Sequence, residues 1–182
     1  FTKVVFIIKE ENYQTFKETI GKRVEPYIKT EYVFQNLDNI PENYQTLLKD
    51  RIKPLGTAHA ILCAKDKINE PFAIVNADDF YGSDAYFKAS SYLDNIASNH
   101  YGLIAYRLGN TLTPNGSAKR GICKVNEDNT LTALIESSVT RVEDKVEVKP
   151  LDGSPMFTTS PDTTVSMNFL LFTPSLFKIL EE

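Results

Sequence analysis

The sequence predicts an α/β fold, a Rossmann-like mixed and mostly parallel sheet with flanking helices and a β-rich second half. Three observations lead there. Residues 4–8 form a continuous apolar, β-branched run, the mark of a strand covered on both faces and central in its sheet. Around Gly56 a small-residue turn opens an amphipathic helix that returns as an apolar strand over 72–76, a β-α-β rhythm. Beyond Gly109 strands outnumber helices and turns shorten.

The elements follow in order. After the first strand, Tyr13, Phe16, Ile20, Val24 and Tyr27 recur in steps of three and four and give a helix over 11–27. Residues 32–37 read as a second strand. Residues 38–50 contain Pro41 and many polar side chains and read as loop with one helical turn at most. Past Gly56, Ala58, Ile61, Leu62 and Ile68 share one helix face, and 72–76 is the next strand. Ser83 or Asp84 can cap a helix whose inward face is Tyr86, Ala89, Leu93 and Ile96. Residues 102–107 are a strand, and 121–125 with 131–135 form a hairpin around the polar loop 126–130. Residues 142–148 and 156–159 read as a β excursion, 165–172 as the last strand, and Thr173, Pro174 and Ser175 open a final helix.

Composition narrows the function classes. The chain of 182 residues fits one domain (1–182) with a real core, and 42% hydrophobic and 24% charged residues are ordinary for a soluble globular protein. A net charge of −4, with bases scattered among more numerous acids, argues against a nucleic-acid backbone as partner. The longest apolar uncharged stretch, 163–177, is interrupted by Asn168 and Pro174 and is too short to span a membrane, and no signal peptide is visible. Two cysteines, Cys63 and Cys123, sit in apolar stretches and read as buried and reduced, as in a cytoplasmic protein. The chain starts at Phe1 in a buried-type strand and stops at Glu182 inside a helical pattern, so it reads as an excerpt cut at its N-terminus and at its C-terminus.

The region 54–82 concentrates the chemistry. Gly56 lets backbone approach a planar ligand, and the helix start just after it presents unpaired N–H groups. Asp78 and Asp79 follow the carboxyl end of a strand, where open α/β sheets place their ligands. Side chains alternate along a strand, so one of the two is the metal ligand; Asp78, directly off the strand, is the choice, and Mg²⁺ needs only one or two carboxylates beside phosphate and water. Taken singly, an ordinary strand-to-helix turn and a solvated Asp pair explain these residues as well. His59 could touch a nucleotide or simply pack, and His100 reads as structural. Lys119 and Arg120 could meet a phosphate or stay solvated, while Glu136 ends a strand and Asn168 interrupts an apolar one, so that Asn168 needs backbone or a ligand hydroxyl as partner. No Walker loop, zinc spacing or nucleophile elbow is present, which leaves hydrolase readings without a nucleophile.

Pro54, Leu55, Gly56, Thr57, Ala58, His59, Ala60 and the run Ile74, Val75, Asn76, Ala77, Asp78, Asp79, Phe80, Tyr81, Gly82 resemble the base-contacting turn and the metal-binding strand end of the sugar-nucleotide pyrophosphorylases, nucleotidyltransferases of the NTP-transferase fold. Weaker likeness lies in Arg120, Gly121, Ile122, Cys123, in Glu136, in Met167, Asn168, Phe169, and in Phe172, Thr173, Pro174. The likeness is strongest to bacterial proteins related to UTP:glucose-1-phosphate uridylyltransferases. It implies the nucleotide-diphospho-sugar transferase fold with its first strand absent, and transfer of a nucleotidyl group from a nucleoside triphosphate to a sugar-1-phosphate with release of pyrophosphate. By the same resemblance Gly56, Thr57 and His59 would contact the nucleotide, Asp78 would be the catalytic Mg²⁺ ligand, and Gly121, Glu136, Asn168 and Arg120 would line the sugar-phosphate pocket. Self-association is left open.

Two departures accompany the resemblance. The family's glycine-rich triphosphate loop would precede Phe1, so the chain alone is expected to be inactive. Glu136 is followed by Ser137 and Ser138, so the family's phosphate-binding Lys is absent, with Lys119, Arg120 or Arg141 as candidate substitutes. A second metal carboxylate found in some members would align near Thr173, which cannot replace it. A phosphocholine-type cytidylyltransferase, or a non-catalytic nucleotide-binding or assembly module of the same fold, are the alternative readings.

Overall fold

The computed structural model describes residues 1–37, 40, 44, 48, 53–114 and 116–182. The chain divides into two compact units, one made of Phe1–Phe72, Ile96–His100 and Phe172–Glu182, the other of Ala73–Asn95 and Tyr101–Leu171. The loop expected over 38–50 lies outside the described residues apart from Ile40, Tyr44 and Leu48.

In the first unit, β1 (Lys3–Ile8) and β2 (Lys29–Phe34) pair in parallel, from Lys3 opposite Lys29 to Ile8 opposite Phe34. Parallel neighbours need a crossover, and the expected helix supplies it in pieces: α1 (Tyr13–Phe16), one π turn (Lys17–Gly21) and α2 (Lys22–Val24). Aromatic rings glue the crossover to the strands, with Phe16 edge-on to Phe6 at 4.9 Å and Tyr13 edge-on to Tyr32 at 5.2 Å, each such pair adding about 0.5–1.5 kcal/mol beyond its burial. All six β1 residues are half-buried, so this strand is not the doubly covered central strand that its composition predicts. Tyr27, placed on the inward helix face by periodicity, is 88% exposed, because the helix has ended before it. Helix α3 (Thr57–Cys63) buries Ile61, and α5 (Ser175–Leu180) buries Leu176 and Phe177, the latter stacked on Phe72 at 5.4 Å.

The second unit is built on a seven-stranded sheet: β3 (Phe72–Ile74, of which Ala73 and Ile74 belong to this unit), β4 (Gly102–Arg107), β5 (Ser117–Val125), β6 (Leu131–Val142), β7 (Lys145–Pro150), β8 (Phe157–Thr159) and β9 (Thr164–Phe172). Their order is β3-β9-β5-β6-β7-β8, with β4 also against β9. The pairs β4–β9, β5–β9, β5–β6, β6–β7 and β7–β8 are all antiparallel. The Rossmann-like, mostly parallel sheet expected from the periodicity and from the resemblance is therefore overturned: the larger sheet is mainly antiparallel, and β1–β2 is a separate parallel pair. The reason lies in the connections, since β5 to β8 are joined by turns of a few residues, which only antiparallel neighbours can use.

The polar loop 126–130 closes the β5–β6 hairpin through Asn126 N–H donating to the Thr130 carbonyl at 2.9 Å. The β excursion expected over 142–148 includes the turn of a second hairpin, at Glu143, whose φ of 53° is uncommon for a glutamate and which joins β6 to β7. Behind the sheet, Leu108, Ile122, Val139, Val146, Val148 and Val165 form one dry cluster. Helix α4 (Ser83–Leu93) buries Ala85, Ala89 and Leu93 after Gly82 enters at φ 77°, a conformation open to glycine at no steric cost.

Burial and the Glu25 carboxylate that accepts its hydroxyl at 2.8 Å push the Tyr32 phenol up to about 12, and burial with neighbouring Tyr81 and Tyr86 does the same for Tyr106. Both folded values exceed the unfolded value of about 10, so the stability they contribute is intact below pH ~10 and is lost as pH rises toward about 12. Phenolate absorbance should therefore rise in a late step that coincides with a falling denaturant midpoint. Complete ionisation near pH 10 in the folded chain would contradict both assignments.

Candidate functional site

Gly121 is the point where three strands meet in register, opposite Glu136 on β6 and opposite Ser166 on β9. Alternation puts Ala118, Arg120 and Ile122 on the face of the dry cluster and Lys119 and Gly121 on the other. On that other face a cavity of about 290 Å³ opens, lined by Asn76, Asp79, Lys119, Arg120, Gly121, Glu136, Ser166, Met167 and Asn168, all in the second unit. Space at its floor is tight and favours glycine: a Cβ there would sit 2.8 Å from Leu134 Cδ2 and 3.3 Å from Ser166 Cβ.

Strand β9 is bent where it borders this cavity. Its register with β4 slips between Leu103, opposite Leu170, and Ala105, opposite Ser166, so extra residues of β9 bulge out. Asn168 sits in that bulge at φ 63°, a left-handed conformation that asparagine tolerates better than most residues, and its N–H donates to Ser166 Oγ at 3.1 Å. The polar interruption of an apolar strand is thus a bulge that turns Asn168 out of the sheet, where it is exposed.

The loop after β3 meets the bulge through Tyr81. Its buried hydroxyl accepts from the Asn76 N–H at 3.0 Å and donates to the Met167 carbonyl at 2.9 Å. Asn76 Nδ2 donates to Asp79 Oδ2 at 2.9 Å, which fixes the second acid of the pair at the cavity wall. Burial raises the Tyr81 phenol, so it is a neutral donor at ordinary pH. Asp78 is exposed and does not line the cavity, and among the described residues its carboxylate has no hydrogen bond or ion pair. Nor is any group of three or more His, Cys, Asp or Glu side chains gathered among them.

The bases at the cavity differ in commitment. Arg120 donates through one terminal nitrogen to the Thr111 carbonyl and through the other to the Lys119 carbonyl, both at 2.6 Å, and its buried Nε has no partner. Arg141 is spent on the Gly109 carbonyl at 3.2 Å and does not line the cavity. Lys119, by contrast, has an exposed ammonium, and among the described residues Lys119, Glu136 and Asn168 have side chains with no hydrogen bond or ion pair.

Gly56, Thr57 and His59 belong to the first unit. Gly56 and Thr57 are exposed, and a Cβ at Gly56 would meet nothing within 4 Å, so the turn leaves its backbone open. Gln35 ties this turn down, donating to the Leu55 carbonyl at 2.8 Å and lying 3.2 Å from His59 Nδ1. Burial lowers the His59 pKa, and its ring serves as a neutral packing and hydrogen-bonding group facing Gln35 and Cys63.

Four of the site residues singled out in the sequence, Arg120, Gly121, Glu136 and Asn168, therefore share one cavity, and Lys119 joins them. Sequence reasoning passed over Tyr81, although a tyrosine between an acid pair and a glycine was a visible signal of a buried hydroxyl near a strand end. Gly121→Ala should cost about 1 kcal/mol in a denaturant titration, because the exposed tip of Leu134 can turn aside while Ser166 cannot; a gain in stability would show that the cavity floor has room. Compared with known proteins, the chain matches no family model, and no curated protein matches it.

Proposed function

We propose that this chain belongs to a sugar-1-phosphate nucleotidyltransferase and that the cavity beside Gly121 receives the sugar-1-phosphate. The observation that carries the reading is the convergence of Gly121, Glu136, Asn168 and Lys119, chosen from separate parts of the sequence, on one polar cavity of about 290 Å³. A polyhydroxylated ligand suits that lining: Glu136 accepts from hydroxyls, the Asn168 carboxamide both donates and accepts, and the Lys119 ammonium meets the phosphate. Among its described lining residues there is no aromatic ring, which favours a sugar over a choline headgroup, whose quaternary ammonium binds to aromatic faces.

In the reaction, an acceptor phosphate oxygen forms a bond to the α-phosphorus of a nucleoside triphosphate as the bond to the β-phosphate bridge breaks, and pyrophosphate leaves. The chain's part is positioning and charge balance, with no covalent intermediate. Gly56 and Thr57 of the first unit offer open backbone to a base, and Asp78 offers an unengaged carboxylate. That donor fits magnesium, which takes one or two carboxylates and completes its shell with phosphate oxygens and water, and which when bound would neutralise phosphate charge. Cys63 and Cys123 are both free thiols, in keeping with a reducing, cytoplasmic setting, and among the described residues no helix is long and apolar enough to cross a membrane.

The native protein, given Mg²⁺, a nucleoside triphosphate and a panel of sugar-1-phosphates, should release pyrophosphate with at least one acceptor. Silence across all nucleotide and acceptor combinations would end the proposal. Asp78→Ala should lower kcat by roughly 10²-fold or more, and full activity in that variant would remove Asp78 from the site. Lys119→Ala should raise the acceptor KM by about tenfold, whereas Arg141→Ala should leave it unchanged; the reverse pattern would move the phosphate contact to Arg141.

A further inference from the structure

The cavity wall that carries Asn168 is an irregular piece of backbone, and something must hold it in one shape. Where β9 slips out of register with β4, the Met167 carbonyl accepts the Tyr81 hydroxyl at 2.9 Å. The Tyr81 hydroxyl oxygen in turn accepts the Asn76 N–H at 3.0 Å and lies 3.4 Å from Asp79 Oδ2. One phenol therefore joins the loop after β3 to the bulge of β9, and both joined segments contribute residues to the cavity. The ring is fixed as firmly as its hydroxyl: it is 5% exposed, packs edge-on against Phe169 at 5.2 Å, and its own carbonyl accepts from the Tyr106 hydroxyl at 3.2 Å.

We propose that Tyr81 is the positioning residue of this cavity: its hydroxyl holds the Met167–Asn168–Phe169 bulge against the Asn76–Asp79 loop, and so sets where the Asn168 carboxamide meets the ligand. Tyr81 itself is outside the cavity lining and acts through Asn76, Asp79 and Asn168. The identity of the ligand rests on the acceptor reading above, but the clamp does not.

Tyr81→Phe keeps the ring and removes only the bridge. In that variant the amides of Met167, Asn168 and Phe169 and of Asn76 should exchange with deuterium about tenfold faster, while those of Val139, Val146 and Val148 keep their wild-type rates. Calorimetric titration with glucose 1-phosphate as probe should give a Kd about tenfold weaker than wild type. Unchanged exchange at 167–169, or equal acceleration across the whole second unit, would overturn the proposal and leave Tyr81 a plain core residue. Should the variant fail to fold, the unmodified chain still decides: its Asn76 amide, whose acceptor is the Tyr81 hydroxyl, must exchange as slowly as strand amides, and exchange at exposed-loop rates would sink the clamp. If the wild-type chain binds neither glucose 1-phosphate nor any other sugar-1-phosphate, the acceptor reading fails while the exchange rates still judge Tyr81.

Discussion

The register of β5 against β6 and β9 is the constraint on which the second unit depends. Gly121 faces Glu136 on one side and Ser166 on the other, and every neighbour inherits its face from those two pairings. A slip of one residue would turn Glu136 and Lys119 into the dry cluster and bring Val139, which is wholly buried, to the surface. Burying two unpaired charges and exposing the core would both oppose such a slip. The pattern that makes the core therefore also assigns the polar side chains to the cavity.

That face is electrically mixed. Lys119 stands with Asp79 and Glu136 at the cavity, and of these three Asp79 is already engaged. Arg120 is held by two backbone carbonyls and Asp79 by Asn76, whereas among the described residues the side chains of Lys119, Glu136 and Asn168 have no hydrogen bond or ion pair. One cation, one anion and one amide are presented from three strands, the arrangement on which the proposed sugar-phosphate reading rests. The committed groups hold the shape of the cavity, and the uncommitted ones line it.

Much of this was legible in the residues. The hairpin around 126–130, the strand 102–107 and the helix after Gly82 follow from turn chemistry and periodicity, which are local properties, although the cap expected at Ser83 or Asp84 is not made: the helix is entered at Gly82 without a side-chain cap hydrogen bond. Sheet direction is not local. The apolar run at 4–8 reads as a central parallel strand, yet its strand has one described partner, and the weight of the fold lies in the antiparallel part. Glu143 hid a tight turn because glutamate carries no turn signal, so the excursion read over 142–148 did not show that β6 runs on to Val142 before the chain turns. Alternation said that Asp78 and Asp79 diverge but not which one turns inward; the Asn76 amide, through its hydrogen bond to Asp79, decides that. The bulge at Asn168 was visible only as an unexplained polar residue, since a register slip depends on a partner strand far away in the sequence.

The mixture of near and distant pairings also bears on how the sheet assembles. Strands β5, β6, β7 and β8 follow one another through brief turns, whereas Gly102 must find Leu171 across nearly all of the intervening chain. Closing the larger loop forfeits more chain entropy than zipping successive hairpins. The topology thus favours a meander that forms first and serves as a template, with β9 arriving late and bringing the irregular cavity wall into existence only once the regular strands are in place.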